Sequence, residues 1–107
     1  MANPEVLFGL ASTAAHTAVV DAVVEGLDRD YCGLAWVVIK PARGSFVKYL
    51  KDNGIGTNEI GGGWRIPRHA MATYRGQSMG VNEAAATAFA DVLCDYGVQA
   101  YARSRID

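Results

Sequence analysis

A chain of 107 residues carries one domain of ordinary size, because two separate cores would each be too small to hold together. Half of its residues are hydrophobic and a fifth are charged, which excludes a disordered polymer. Its formal charge of −1 hides an uneven distribution: −4 over residues 1–30, +5 over residues 31–80 and −2 over residues 81–107. A chain that is acidic overall argues against a strong duplex nucleic-acid binder, whereas the basic middle third hints at an acidic partner.

Asn3-Pro4 is a strong helix start, with an acceptor side chain at the cap and a proline where no N–H is needed. Ala15, Val19, Val23 and Leu27 recur every four residues, widened by Val20 and Val24, and predict an amphipathic helix ending near Asp28. Gly9 or Ser12 is a point where this helix can break. Residues 32–39 are apolar without alternation, so they predict a strand covered on both faces and central in its sheet. Lys40-Pro41 ends it. Ser45 is then read as the cap of a second helix burying Phe46, Val47 and Leu50, stopped by Asn53-Gly54.

The triple glycine 61–63 leads into a short strand, Trp64-Arg65-Ile66, which Pro67 places at a sheet edge. Residues 68–79 read as a polar, irregular connection. A third helix starts between Ser78 and Asn82, buries Phe89, Val92, Leu93 and Tyr96, and stops at Gly97. Residues 98–106 alternate, with Val98, Ala100 and Ala102 on one face and Gln99, Tyr101, Arg103 and Arg105 on the other. The order α-β-α-β-α-β predicts an α/β fold, with α+β as the alternative. Three strands are expected, the first in the middle, joined by parallel crossovers, with helices on both faces.

Catalytic signatures are scarce. The glycines 54, 56 and 61–63 follow a helix and precede a strand, the reverse of a phosphate loop. Cys32 and Cys94 are isolated, which suggests two buried thiols in a reducing cytosol. His16 and His69 have no partner at metal-ligand spacing, so neither metal nor cofactor is expected. Apolar runs such as residues 34–39 are too short to cross a bilayer, and the N-terminus lacks the pattern of a signal peptide. The expectation is therefore a cytoplasmic chain with no membrane partner.

The arginines carry the main functional signal. Arg65, Arg68 and Arg75 come from the second strand and the connection after it; Arg103 and Arg105 share a face with Tyr101. If the two strands flank the central one, these side chains can converge. The loop at Arg75 opens through Ser78 into the third helix, whose first N–H groups suit an anion. Arg65, Arg68, His69, Tyr74, Arg75, Ser78, Tyr101, Arg103 and Arg105 are the candidate ligand-binding residues, with Trp64, Tyr74 and Tyr101 as stacking surfaces for a base. Arginines that merely pair with Asp91, Asp95 or Asp107 give the same pattern.

Cys32-Gly33-Leu34-Ala35-Trp36-Val37, Ser78-Met79 before Glu83-Ala84, and Ala100-Tyr101-Ala102-Arg103-Ser104-Arg105-Ile106-Asp107 resemble a group of small proteins of tailed bacteriophages and prophages. The resemblance covers about the last three quarters of the chain and carries no catalytic role. Leu34 stands where that pattern has Phe. It implies a phage accessory protein made in the bacterial cytoplasm. The leading expectation is a non-enzymatic protein that engages a host or phage macromolecule through the arginine and aromatic surface, inhibition of a host defence component being one form. Two alternatives remain open: a nucleotide or nucleic-acid binder using the same arginines, and a small hydrolase or transferase using His69 or Cys32. Self-association as a homodimer through the last strand, one of two sheet edges, is a further reading left open.

Overall fold

The computed structural model describes residues 3–106. Asp107, the end of the C-terminal motif, lies outside them. The elements run α1 (Pro4–Val24), a 3-10 turn (Leu27–Arg29), β1 (Gly33–Ile39), α2 (Ser45–Asp52), β2 (Thr57–Asn58), β3 (Trp64–Pro67), α3 (Arg68–Met71), α4 (Met79–Asp95) and β4 (Ala100–Ile106). The class is mixed α/β, with β1 interior to the sheet. The sheet has four strands rather than three, in the order β2-β3-β1-β4, and every pairing is antiparallel.

The extra strand explains the change of direction. Thr57 and Asn58 pair with Arg65 and Trp64, so the glycine run is the turn of a hairpin and not a strand entry. Gly61, Gly62 and Gly63 all have positive φ, 91°, 104° and 107°, a region that glycine enters without steric cost. The hairpin returns β3 antiparallel to β1; β4 is antiparallel to β1 as well, so β3 and β4 run parallel on either side of it and the connection between them through α4 is a parallel crossover. Residues 68–71, expected to be irregular, form the single turn of α3.

The helices were expected on both faces; they cover one. Side chains from all four helices join Ala35, Val37 and Ile39 of β1 and Ile66 of β3 in one core. α4 packs on β1 and β4, and α1 packs chiefly on α4. α1 begins as expected, with the Asn3 side chain accepting from the Glu5 N–H at 2.8 Å, and it runs unbroken past Gly9 and Ser12. Its buried stripe is Leu7, Ala11, Ala15, Val19 and Ala22, while Val20, Val23, Val24 and Leu27 are exposed. The alanines of this stripe and Ala85, Ala86 and Ala90 of α4 belong to the same core, and small side chains let two helices approach closely. α1 is apolar around most of its circumference, so periodicity alone did not select the inward face.

α2 is capped at Gly44, and Ser45 is its first residue. In α4, Phe89 and Leu93 are fully buried and Val92 is half-buried, but Tyr96 is exposed because the helix stops at Asp95 and the chain turns through Gly97 (φ 85°). Phe8 of α1 meets Phe89 edge-on at 5.5 Å between centroids, a favoured aromatic geometry. Both thiols are exposed, contrary to expectation: Cys32 precedes β1, and Cys94 lies on the outside of the last turn of α4, where its thiol donates to the Ala100 carbonyl at 3.1 Å.

Candidate functional site

The face of the sheet turned away from the helices follows from strand alternation. In register across β1 and β4 it carries Leu34 beside Arg105, Trp36 beside Arg103 and Val38 beside Tyr101. From β3 it receives Arg65 next to Val38 and Pro67 next to Trp36. Although no helix covers this face, Trp36 is 7% exposed and Val38 fully buried. The cover is the β2–β3 turn together with Arg65. Gly63 lies so close to Val38 and to the Ile39 carbonyl that an added Cβ would stand 2.9 Å from each, so only glycine fits this approach.

The same turn delivers Glu59, whose carboxylate becomes the hub of the face. The Trp36 indole N–H donates to Oε2 at 2.8 Å, and the Ile60 N–H donates to Oε1 at 3.2 Å. Arg65 Nη1 lies 3.7 Å from Oε1 and Arg103 Nη1 lies 3.6 Å from Oε2. Both guanidinium groups also stand over the Trp36 ring, Arg65 at 4.0 Å from its centroid and Arg103 at 5.9 Å. The Glu59 side chain is only 4% exposed, against 35% and 50% for the two arginines. A buried carboxylate needs such pairing, whereas the arginines remain partly exposed. Two cations on one anion leave a positive excess, and Arg105 adds to it.

Of the five arginines that could converge, Arg65 and Arg103 meet at one carboxylate, with Tyr101 and Arg105 on the same face of β4. Arg68, His69 and Tyr74 form a neighbouring group. Arg68 Nη1 donates to the Ala72 carbonyl at 2.7 Å, and its guanidinium lies over the Tyr74 ring at 5.8 Å. Burial lowers the Arg68 pKa from its usual value, and Tyr74 only partly offsets this. Arg65, Arg68 and His69 line a cavity of about 280 Å³ with Trp36, Pro67 and Asn82. A larger hollow of about 430 Å³ lies at the other end of β1, between α1 and α2, and none of the candidate residues lines it.

One candidate serves the fold instead. Ser78 caps α4, accepting from the Val81 N–H at 3.2 Å and donating to the Leu27 carbonyl at 2.8 Å or to the Asp30 carboxylate. Asp30 also accepts from the Gly80 N–H at 2.9 Å. The anion at this helix start is thus the chain's own carboxylate. Arg75 is exposed and lines neither cavity. Trp64 also lies off the outer face: its indole N–H donates to the Ile55 carbonyl at 2.9 Å, and Lys51 sits over its ring at 5.1 Å. Among the described residues, no group of three His, Cys, Asp or Glu side chains is placed to hold a metal ion.

Sequence reasoning missed Glu59 and Asn82. Glu59 had a faint signal, being one of two acids in the basic middle third; Asn82 had one as a polar residue on an otherwise apolar helix face. A second surface was also missed. α1 is long and apolar enough, by length and composition, to cross a membrane, yet five of its side chains belong to the domain core. Its outer side leaves Val6, Val20 and Val24 more than half exposed. Compared with known protein families, curated proteins and solved structures, the chain matches none. Fold and site together describe a small mixed α/β domain with one open, arginine-rich sheet face.

Proposed function

We propose that this chain is a non-enzymatic binding protein that holds a macromolecular partner, a protein with an acidic surface segment, on the open face of its sheet. The observation that supports this reading best is the Glu59 hub. One buried carboxylate holds Arg65 and Arg103 over Trp36, and the two partly exposed cations leave a net positive charge on this face. Holding long side chains in place before binding reduces the entropy lost on association, and arginines of fixed geometry suit bidentate pairing with carboxylates. Leu34 and Tyr101, 40% and 44% exposed, supply apolar contact beside the charges.

A phage accessory protein acting on a host component in the bacterial cytoplasm is the form of this reading that the sequence resemblance favours. Replacement of Arg103 and Arg105 by Glu is expected to abolish capture of the partner from bacterial lysate while the chain stays folded by circular dichroism. Unchanged capture would move the interface to the exposed side of α1.

Self-association competes for the same surface. β4 is an edge strand of seven residues, and an unprotected edge is a template for pairing with a second copy. Sedimentation at rising concentration separates the two: a dimer that dissolves when partner is added marks β4 as shared, and a monomer throughout removes the homodimer.

A further inference from the structure

α1 carries a second stripe on the side opposite its buried one. Val6, Leu10, Thr13, Thr17, Val20 and Val24 are all exposed, and their spacing alternates four and three residues along the helix. At about 100° per residue they fall within one narrow sector, whereas Leu7, Ala11, Ala15, Val19 and Ala22 face the core. An apolar repeat of about 3.5 residues on a free helix face is the seam along which one helix packs on another.

Two observations bear on what covers this seam. The first is symmetry about Ala15: Val6 mirrors Val24, Leu10 mirrors Val20 and Thr13 mirrors Thr17. Two antiparallel copies of α1 therefore match along the whole seam, apolar against apolar at both ends and hydroxyl against hydroxyl in the middle. A two-fold contact requires such self-complementarity, and the antiparallel arrangement sets each positive helix end beside a negative one. The second is Gly9, inside α1 at the margin of the seam. Glycine weakens a helix interior relative to alanine, yet a Cβ at Gly9 would meet no atom of the chain within 4 Å. Nothing within the domain needs a glycine there, whereas the close approach of an outside helix does.

Lipid is the other occupant for an apolar helix face. α1 carries Glu5 and Asp21 but neither Lys nor Arg, the opposite of the basic polar face with which helices lie on anionic membranes. We propose that the chain forms a two-fold dimer through antiparallel α1 helices. α1 packs on α4, and α4 on β1 and β4, so the seam lies on the far side of the domain from the open sheet face. The contact uses no residue of the partner surface, does not rest on that reading and differs from pairing through β4.

The test is sedimentation of the full chain from low micromolar to submillimolar concentration, with folding followed by circular dichroism. The wild type is expected to pass from monomer to dimer. Each seam residue occurs twice in a two-fold contact, so Val24→Glu alone should raise the dissociation constant about a hundredfold, roughly tenfold per buried site. Gly9→Gln, whose side chain has open space in the monomer, should weaken the dimer while the fold is kept. Orientation is read from the double variant Val6→Lys/Val24→Glu. In the antiparallel seam each new lysine faces a new glutamate, and this variant should associate about tenfold or more tightly than Val24→Glu alone; in a parallel seam like charges would meet. A wild type that stays monomeric throughout overturns the proposal. So does a dimer that Val24→Glu leaves intact, which moves the contact to β4, and so does a double variant no tighter than the single one. Flotation of the wild type with phosphatidylcholine vesicles, abolished by Val24→Glu, overturns it in favour of lipid.

Discussion

The two faces of β1 are made from alternate residues of one seven-residue strand, yet they are held by different physics. On one side Ala35, Val37 and Ile39 join an aliphatic and aromatic core beneath α4, with no charge among its members. On the other, Trp36 and Val38 are nearly as well buried, but their cover is a glycine turn, a carboxylate and two arginine side chains. The first face draws its stability from apolar area removed from water. The second is closed by polar groups that satisfy one another.

The largest expected effect falls on the closed side. Phe89→Ala removes a fully buried ring that meets Phe8, and about 3–5 kcal/mol of unfolding free energy should be lost in urea denaturation, as for large core truncations. A loss below about 1 kcal/mol would mean that this side collapses around the void and is no better packed than the other.

Next comes the hub. Glu59→Ala leaves the Trp36 indole N–H without its acceptor and Arg65 and Arg103 without their shared anion. A cost of about 1–3 kcal/mol follows, because the orphaned N–H is buried whereas both arginines can turn into water. Glu59→Gln keeps an acceptor for Trp36 and should cost less. If the two substitutions cost the same, the charge and not the indole bond is what Glu59 contributes. If Glu59→Ala equals Phe89→Ala, the contrast between the faces fails.

The smallest effect is expected at Arg105, which forms no ion pair among the described residues. Arg105→Glu should change stability by no more than about 0.5 kcal/mol, the usual range for surface positions, measured as a thermal midpoint. A larger loss would mean that the open face is part of the fold's own structure and not available to a partner.

Much of the closed side was legible in sequence. Asn3-Pro4 and Gly97 marked the ends of α1 and α4, and the unbroken apolar run placed β1 inside the sheet. What was not legible depended on choices that local pattern does not make. α1 is apolar on more than one side, and its inward stripe is the one that packs on α4. β2 is two residues long and leaves no periodic trace, and without it the glycine run could not be recognised as a turn. On the open side the convergence of Arg65 with Arg103 followed from alternation once both strands flanked β1. The carboxylate that gathers them did not, because Glu59 reaches Trp36 only through that turn. Ser78 was read as a ligand residue because a helix start attracts anions; the rule held, but the anion was Asp30.

The most direct measurement sets the open sheet face against the exposed side of α1. Tagged wild-type chain, the Arg103→Glu/Arg105→Glu variant and a Val20→Glu/Val24→Glu variant are used to capture partners from bacterial lysate at low and high salt, with thermal midpoints recorded for each. The open-face reading expects a stoichiometric protein on the wild type that is weakened at high salt, is lost from the arginine variant and is kept by the valine variant. Capture that survives in the arginine variant and disappears from the valine variant would contradict it and assign binding to α1.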